Sequence, residues 1–313
     1  MRGLALDLRA HPHVRMRDDL SFPSPKAGEV RVRVTHSTIN GHEFALAREP
    51  LLRLLAWLRR APGEVRTGLE FAGIVDTDGL EFKAGDAVMG YVDMIAGWRP
   101  HAEYVAIPEA YLAPAPAGMP LAQASTLPMS GLTALVALRE VARVQPGQRV
   151  LIVGASGGVG VMAIQIARIL GAEVTALASS RHHASLAKLG AARCVDYRET
   201  PISALQGSFD AILDFSSTLR LAELAHLLTP EGVFIPADPI RNLGDVLRSR
   251  RARWLMVDRG DGPRLRELGA WVEAGELVSV VSETFAFGDW EQAVARSHER
   301  GRLGRTVLEL ANA

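Results

Sequence analysis

Cysteine is almost absent from this chain, which has one cysteine, Cys194, among its 313 residues. A single cysteine cannot form an intrachain disulfide, and it cannot supply a cysteine-rich metal site. The sequence also lacks an uninterrupted apolar run long enough to span a membrane. Asp7 and Arg9 interrupt the apolar N-terminal stretch, which is typical of a first strand rather than a signal peptide. We therefore expect a cytoplasmic protein with no membrane partner.

An excess of charge of either sign is missing as well. The chain has 35 Lys and Arg residues against 35 Asp and Glu residues, so the charge gives no reason to expect a nucleic-acid partner. Hydrophobic residues make up 48% of the chain and charged residues 22%, as is typical of a globular protein. Because a single core stops growing at roughly 250–300 residues, two domains are expected.

The pattern of apolar residues changes along the chain. Residues 30–34 alternate apolar and polar side chains, the period of a half-buried strand, and frequent turn signals make residues 1–118 β-rich. Residues 51–60 (LLRLLAWLRR) predict a short amphipathic helix within this part. From residue 119 onward the pattern alternates between strands and helices, which predicts a parallel sheet. Its strands are predicted at 149–153, 173–177, 193–195, 209–213, 232–235 and 254–257.

The last residues return to the β-rich pattern, with a strand predicted at 305–310 that rejoins the first domain. The predicted fold class is therefore α/β. Residues 1–118 and 284–313 would form a β-rich domain, and residues 119–283 would form a doubly wound parallel-sheet domain.

A glycine-rich turn gives the most specific local signal. Residues 154–160 (GASGGVG) directly follow a predicted strand and open a predicted helix, the context of a dinucleotide-binding turn. Gly157 would let the backbone approach a pyrophosphate, and Gly160 would let the helix pack closely on the strand. The helix N-terminus supplies free N–H groups for the phosphates. The alternative is a glycine-rich turn that only connects the two elements.

The end of the second parallel strand discriminates between cofactors. Enzymes that prefer NAD usually carry an acidic residue there, about 20 residues after the glycines, to bind the ribose 2′-hydroxyl. Here Ala178 is followed by Ser179, Ser180 and Arg181, with no carboxylate. Hydroxyls and a guanidinium suit a 2′-phosphate, so NADPH is the predicted cofactor. A helix-capping serine followed by a solvated arginine is the alternative interpretation.

Several further motifs occur in a fixed order along nearly the whole chain. They are Asn40, GLEFAG at 68–73, GD at 85–86, AEY at 102–104, PMSGLTA at 128–134, IQIARILGAEV at 164–174, LGA at 189–191, VDY at 195–197 and GRTVL at 304–308. Together with the glycine turn, this set resembles the quinone oxidoreductase and enoyl reductase branch of the medium-chain dehydrogenase/reductase superfamily, which works without zinc.

The resemblance implies a GroES-like catalytic domain made of both chain ends and a Rossmann domain between them, with the cofactor in the cleft. It also implies roles for individual residues. The pyrophosphate would contact Ser156, Gly157, Gly158 and Val159. The 2′-phosphate would contact Ser180, Arg181 and Tyr197, beside Ser179. Asn40 and Thr133 would lie next to the nicotinamide and the substrate carbonyl, and relatives suggest a homodimer.

The sequence departs from the family pattern at two places. Ala45 stands where an aromatic side chain is often found, and Trp98 and Arg99 replace a glycine-rich approach to the AEY motif. These departures leave the substrate open. The competing class, the zinc-dependent alcohol dehydrogenases, needs cysteine and histidine ligands. Cys194 is badly placed for this role, at the far end of the nucleotide-binding core just before Asp196, and His36, His42 and His101 are more typical of surface or hydrogen-bonded residues. No metal is therefore expected.

Without a metal, the negative charge that develops on a substrate oxygen must be stabilised by hydrogen-bond donors. Asn40 and Thr133 are candidates for this role. Tyr91 is a candidate proton donor, although a core aromatic with a satisfied hydroxyl and protonation by water are both alternatives.

Three functions follow from these expectations. The first is NADPH-dependent reduction of a small conjugated carbonyl compound (an enone) or a quinone. The second is reduction of an enoyl thioester of the fatty-acid or polyketide type, for which the arginines at 248–253 could provide a docking path. The third is a catalytically silent NADPH-binding scaffold protein.

Overall fold

Two sheets of different kinds organise the structure, a computed structural model that describes residues 1–6, 14–40, 67–92, 99–238, 241–299 and 301–310. One sheet is mixed and largely antiparallel, and the other is entirely parallel. The helix predicted at 51–60, together with Ala45, His42 and Trp98, lies outside the described residues.

The mixed sheet is built from both ends of the chain. Its strand order is β13-β14-β3-β4-β5-β7, with β6 paired to the remaining part of β3, and every pair except β13–β14 is antiparallel. Strand β3 forms because its alternate residues Val30, Val32 and Val34 are fully buried while the residues between them are partly exposed. These strands, with the separate hairpin β1–β2, are β1 Gly3–Leu6, β2 Val14–Arg17, β3 Glu29–Ile39, β4 Glu70–Val75, β5 Ala87–Tyr91, β6 Tyr104–Pro108, β7 Leu112–Pro114, β13 Val281–Ala286 and β14 Arg305–Glu309.

The parallel sheet has the order β10-β9-β8-β11-β12. Strand β8 is an almost wholly apolar run, buried from Val150 to Val153, as expected for a central parallel strand with helices on both faces. The order reverses between β8 and β11, and ligands of such sheets bind at the carboxyl ends of the strands at this point. The strands are β8 Arg149–Val153, β9 Glu173–Leu177, β10 Arg193–Val195, β11 Phe209–Asp214 and β12 Leu228–Pro236.

Helices connect these strands and join the two sheets. Helix α2 packs against α3 and α7, and it also contacts β4 and β5 of the mixed sheet. The helical stretch from Leu121 to Ala142 is long and apolar enough to cross a membrane, but 67% of its apolar window is buried inside the protein, as in a core helix. The helices are α1 Leu121–Ala124, α2 Pro128–Leu135 (continued by a π-helix, Val136–Ala142), α3 Gly158–Ile169, α4 His183–Lys188, α5 Leu221–Leu224, α6 Leu243–Arg248, α7 Gly262–Glu273 and α8 Trp290–His298, and the short 3-10 helices are Glu109–Tyr111, Ser180–His182, Ile202–Ala204, Ala225–Leu227 and Phe287–Asp289.

The predicted α/β fold class, with a GroES-like sheet and a Rossmann sheet, is confirmed. Strand β14 pairs with β3, as predicted for the returning chain end. The strand predicted at 254–257 is wrong: Ala252 forms an isolated bridge with Phe234 of β12, and residues 254–257 pair with no strand of the described residues. Leu255 is buried, but Trp254 and Met256 are exposed. The domain boundaries at 119 and 284 stay predictions, since α1 packs on the mixed sheet and β13 already begins at Val281.

Candidate functional site

The glycine turn joins β8 to α3 at the carboxyl edge of the parallel sheet. A Cβ atom at Gly160 would overlap the carbonyl oxygens of Gly154 and Ala155, so glycine is required there for the helix to pack on the turn. A Cβ atom at Gly157 would meet nothing closer than the Gly154 oxygen at 3.4 Å. Packing therefore does not require glycine at position 157, and the Gly157 backbone is left accessible to close approach by a ligand.

The N-terminus of α3 is suited to an anion. Gly157 is the N-cap residue and carries no side chain to accept hydrogen bonds from the first turn. The amides of that turn therefore lack an intrahelical partner and carry the positive end of the helix dipole. Because α3 has 12 residues, the dipole is well developed. A phosphate group bound beside Gly158 and Val159 would satisfy these amides.

Residues 301–305, here called the return segment, run across this turn as the chain re-enters the mixed sheet. The Gly304 amide donates to the Ser156 carbonyl over 2.9 Å, and Gly304 forms a parallel bridge with Gly157. At the other end, the Gly301 carbonyl accepts a hydrogen bond of 2.8 Å from His182 Nε2. The return segment thus spans from the glycine turn to the end of β9.

The end of β9 presents hydroxyl groups and positive charge. A Cβ atom at Gly301 would overlap the guanidinium of Arg181, so that side chain lies against the return segment. Ser179 is buried, whereas Tyr197 is 38% exposed and the Arg198 guanidinium carbon lies 5.6 Å from its ring centre. The structure therefore places Arg181 and His182 beside the return segment and leaves the ring of Tyr197 open to solvent.

Asp196 fixes the turn that carries these groups. Its carboxylate accepts hydrogen bonds of 2.8 Å from the amides of both Arg198 and Ser180. These bonds, together with the Ser180 hydroxyl, hold the pKa of Asp196 at about 2, well below its usual range. The Asp196 carboxylate is therefore already used by the protein to hold this turn. The sequence motif contained Asp196, but its role was not predicted.

Arg302 adds a second positive charge to the return segment. Burial is the main reason that its pKa is lowered to about 10, with further contributions from the neighbouring Arg305 and Arg296. No carboxylate of the described residues offsets this effect. A guanidinium that remains charged at neutral pH, half-buried among other arginines, favours an anionic ligand nearby.

A buried polar cluster joins the return segment to the mixed sheet. Arg305 Nη1 donates to Asn40 Oδ1 over 2.6 Å, and Arg305 Nε donates to Ser130 Oγ over 2.8 Å. Arg305 Nε also lies 3.5 Å from Glu70 Oε1, in an ion pair that is almost completely buried. The side chain of Arg305 covers Gly158, where a Cβ atom would overlap it.

Glu70 holds the N-terminus of α2 against this cluster. Its Oε2 accepts from the Met129 amide over 2.8 Å, and its Oε1 accepts from the Thr38 hydroxyl over 2.7 Å. Burial raises the pKa of Glu70, and Arg305 together with these donors opposes the increase. A carboxylate beside the N-terminus of a helix also interacts favourably with the helix dipole.

Asn40 and the exposed face of α2 form the wall of the candidate site. Asn40 is 3% exposed, and its Nδ2 donates to the Met129 sulfur over 3.0 Å. Thr133 lies four residues after Met129 on the same helix, so the two side chains share a face, and Thr133 is partly exposed. Asn40 therefore contacts the face of α2 that carries Met129, and Thr133 lies one turn further along the helix. The roles of Asn40 and Thr133 stay predictions.

Tyr91 does not belong to this wall. It is 1% exposed, and its hydroxyl donates to the Val257 carbonyl over 2.8 Å. The proton-donor interpretation of Tyr91 is therefore not supported, because the hydroxyl proton is already used in the core. The geometry is that of the alternative interpretation, a core aromatic side chain whose hydroxyl already has a hydrogen-bond partner.

Within the described ranges, no three His, Cys, Asp or Glu side chains are grouped as a metal site. Both ring nitrogens of His101 are hydrogen-bonded, to the Thr67 hydroxyl at 2.8 Å and the Thr38 carbonyl at 2.9 Å. Cys194 contacts the His183 carbonyl, and burial raises the pKa of its thiol. His36 Nδ1 contacts the Thr35 hydroxyl at 3.1 Å. These side chains are therefore not arranged as ligands.

Comparison with known proteins gives independent evidence about the family of this chain. A family profile described as zinc-binding dehydrogenase matches residues 189–308. A mitochondrial NAD(P)H oxidoreductase of Bos taurus is 30% identical over 77% of this chain and 70% of its own length. The chain belongs to the medium-chain dehydrogenase/reductase superfamily.

Other known proteins are similar over more of the chain. An erythronolide synthase of Saccharopolyspora erythraea is 31% identical over 93% of this chain, which corresponds to 8% of that protein's length. A trans-enoyl reductase of Aspergillus terreus is 27% identical over 88% of this chain and 84% of its own. The structure of the quinone oxidoreductase from Coxiella burnetii superposes with a TM-score of 0.85, at 25% identity and 99% coverage of both chains.

This member of the superfamily is therefore an oxidoreductase that uses a nicotinamide cofactor on a small molecule. The residues present fit such a dinucleotide. The first turn of α3 offers unpartnered amides, and Gly157 leaves its backbone accessible. When bound, the cofactor supplies the hydride.

Proposed function

We propose that this reductase uses NADPH, without a metal, to reduce the conjugated double bond of an enone or to reduce a quinone. The Asn40 amide carries this proposal. Its Oδ1 is held by Arg305, and its Nδ2 faces the Met129 sulfur, which is a weak acceptor. A carbonyl oxygen of the substrate would be a much better acceptor for the same N–H group.

The reaction places negative charge on that oxygen. When a hydride adds to the β-carbon of an enone, the electron pair of the double bond moves and the carbonyl oxygen becomes an enolate oxygen. A preorganised N–H donor in a site with little water stabilises this charge. Asn40 would donate to the oxygen and Thr133 would line the same wall. A proton from water then adds to the α-carbon and completes the saturated ketone.

The preference for NADPH rests on charge at the end of β9. Arg181 and His182 lie beside the return segment, and Arg302 adds a half-buried guanidinium to it. Asp196 does not oppose a 2′-phosphate strongly, because its carboxylate already accepts several hydrogen bonds from this turn. A dianionic phosphate group would therefore meet more positive than negative charge here.

A cofactor-oxidation assay tests this function. The purified protein is mixed with NADPH or NADH and with enones, quinones, enoyl thioesters and simple alcohols. We expect NADPH consumption with enones or quinones, and a decrease of roughly 10²-fold in kcat in Asn40→Ala, the size observed when one oxyanion donor is removed. Turnover of alcohols alone, or an Asn40→Ala variant as active as the wild type, would contradict the proposal.

The second candidate is an enoyl-thioester reductase. The similarity to a trans-enoyl reductase favours it, and Arg248, Arg250 and Arg253 are exposed and could approach an anionic carrier. Arg251 is different, because its guanidinium donates to the carbonyls of Thr229 and Gly232. Turnover of a crotonyl-type thioester many-fold faster than any quinone would favour this candidate. Tight NADPH binding with no turnover at all would favour the silent scaffold instead.

A further inference from the structure

Arg305 lies at the centre of the buried polar cluster. Neither hydride transfer nor cofactor binding explains why it contacts Asn40. It is the first residue of β14 and 5% exposed. Its two hydrogen bonds reach different parts of the fold: Asn40 follows β3 in the mixed sheet, and Ser130 lies in α2. The same guanidinium therefore ties the candidate oxygen-binding residue to the helix that lines the site.

The chemistry of the two side chains fixes which way the Asn40 amide faces. A guanidinium has only donors, whereas an amide can present either its oxygen or its NH₂ group. Because Arg305 cannot accept a hydrogen bond, Asn40 must turn its Oδ1 toward Arg305, at 2.6 Å. The NH₂ group is then directed to the other side, where the Met129 sulfur lies at 3.0 Å. Without Arg305, nothing among these contacts would prevent the amide from turning over.

We propose that Arg305 is a positioning residue that orients the Asn40 amide, so that its N–H donor and not its oxygen faces the substrate carbonyl. This inference rests on the proposed function of Asn40. A reversed amide would place a partial negative charge next to the oxygen that becomes an enolate, and would slow the reaction instead of promoting it.

Arginine is suited to this position in a way that lysine is not. The guanidinium is planar and places Nε on Ser130 and Nη1 on Asn40 at the same time, next to the Glu70 carboxylate. A lysine ammonium is a single point of charge that could remain beside Glu70 but could not keep both directed hydrogen bonds. Arg305→Lys therefore removes the orientation while it keeps the buried positive charge, so this variant is expected to fold.

The matched control is Arg296→Lys. The guanidinium of Arg296 also pairs with carboxylates, Glu283 and Glu299, but it does so at the surface and outside the cluster. The same substitution can therefore be made there. We expect Arg305→Lys to lower kcat by roughly tenfold or more, part of the effect of losing an oxyanion donor, while the Kd for NADPH changes less than about threefold. Arg296→Lys should match the wild type in both. A loss of NADPH affinity with unchanged kcat in Arg305→Lys would overturn the inference.

A double-mutant cycle separates orientation of Asn40 from general damage. If Arg305 acts through Asn40, then Arg305→Lys should change kcat by less than about twofold in an Asn40→Ala background, because the amide is already gone. Effects that simply multiply would show that Arg305 acts independently of Asn40, and the inference would be wrong.

A readout without turnover keeps this inference distinct from the proposed function. The side-chain amide signal of Asn40 in a ¹H–¹⁵N spectrum can be assigned by its loss in Asn40→Ala. Arg305→Lys should shift or broaden this signal in the free protein, and Arg296→Lys should leave it unchanged. If the wild type reduced none of the test compounds, the proposed function would fail, and the signal alone would decide the orientation: an unchanged signal in Arg305→Lys overturns it.

Discussion

At the scale of single residues, Arg181 is the side chain on which the cofactor preference depends most directly. It lies at the end of β9 against Gly301. Arg193 offers a matched control, since it is an exposed arginine at the opposite, amino end of β10. One arginine contact to a phosphate is a charge-assisted hydrogen bond and contributes about 1.5–3 kcal/mol.

Replacing Arg181 should therefore change affinity for NADPH and not for NADH. We expect Arg181→Gln to raise the Kd for NADPH by roughly 10-fold or more while the Kd for NADH stays within about twofold, because NADH has no 2′-phosphate. Nicotinamide fluorescence titrations measure both constants. Arg193→Gln should leave both unchanged. Equal weakening of the two cofactors by Arg181→Gln would place the arginine elsewhere on the dinucleotide.

His101 makes a second prediction at this scale, one about stability. Its Nε2 donates to the Thr38 carbonyl, so the neutral ring accepts from the Thr67 hydroxyl at Nδ1. Burial, with a smaller effect from Arg99, lowers the pKa of His101 to about 4 from 6.5, although the Thr38 carbonyl opposes the decrease. The folded protein thus resists protonation of a ring that the unfolded chain protonates readily.

Below pH 6.5 the unfolded state binds the extra proton first, so the free energy of unfolding falls as the pH falls toward 4. A difference of this size corresponds to about 3 kcal/mol. Urea denaturation between pH 7 and pH 4 should show this decrease in the wild type and a smaller one in His101→Gln. His226→Gln, which changes an exposed histidine, should keep the wild-type slope. An unchanged slope in His101→Gln would mean that another group controls the acid sensitivity.

At the scale of elements, the glycine turn shows what the sequence predicts well. Strand, turn and helix are consecutive there, so local period and glycine placement were sufficient to predict β8, α3 and the stop at Gly171, whose φ is +80°. The prediction of a strand at 254–257 is wrong because a short apolar run does not reveal whether a sheet has room for another strand.

The buried polar cluster could not be predicted from local pattern. Glu70, Ser130 and Arg305 come from β4, α2 and β14, which meet only after the chain has folded. A signal was nevertheless present, since the motifs at 68–73 and 304–308 each place one charged residue among mostly apolar ones. Charges in such positions are usually paired with each other.

The two inner glycines of the turn should respond differently to the same substitution. In Gly160→Ala the new methyl group overlaps the oxygens of Gly154 and Ala155, so helix or turn must shift, at a cost of about 1–3 kcal/mol. In Gly157→Ala the methyl group has room and φ is −73°, so stability should fall by about 1 kcal/mol or less.

Gly157→Ala should affect NADPH binding more than it affects stability. A methyl group there lies between the backbone and the cofactor phosphates, so NADPH affinity should drop in a variant that is still well folded. Urea unfolding and NADPH titration of both variants make this comparison. A Gly157→Ala protein that bound NADPH like the wild type would show that the diphosphate does not approach this backbone.

At the scale of the whole molecule, the assembly stays a prediction. Strand β12 ends the parallel sheet, and the Arg251 and Arg253 backbone covers part of its outer side. Leu247, Trp254 and Met256 are exposed in the chain that follows it. A homodimer formed through this side of the Rossmann domain would bury these side chains. Sedimentation of the wild type, compared with Trp254→Glu, measures whether such a dimer exists and depends on this surface.

One of two hydrophobic clusters extends across both sheets, and the second, which includes Leu151, Ile212 and Phe234, lies at the parallel sheet. A continuous cluster of buried side chains runs from Val34 and Phe71 of the mixed sheet to Ile152 and Ile164 beside the parallel sheet. Helix α2 lies between the sheets, and Arg305 joins its Ser130 to Asn40. Neither half can unfold without exposing part of this core, so we expect one cooperative transition in which the calorimetric and van't Hoff enthalpies agree.

NADPH should therefore stabilise both halves together. At a free concentration of 100 times its Kd, a ligand that binds only the folded state adds about 2.7 kcal/mol to the free energy of unfolding. Differential scanning calorimetry should show a single peak that moves to higher temperature as a whole. Gly157→Ala at the same NADPH concentration should move less, since it binds more weakly. Two peaks, of which NADPH moved only one, would show that the cofactor contacts a single domain and that the return segment does not couple them.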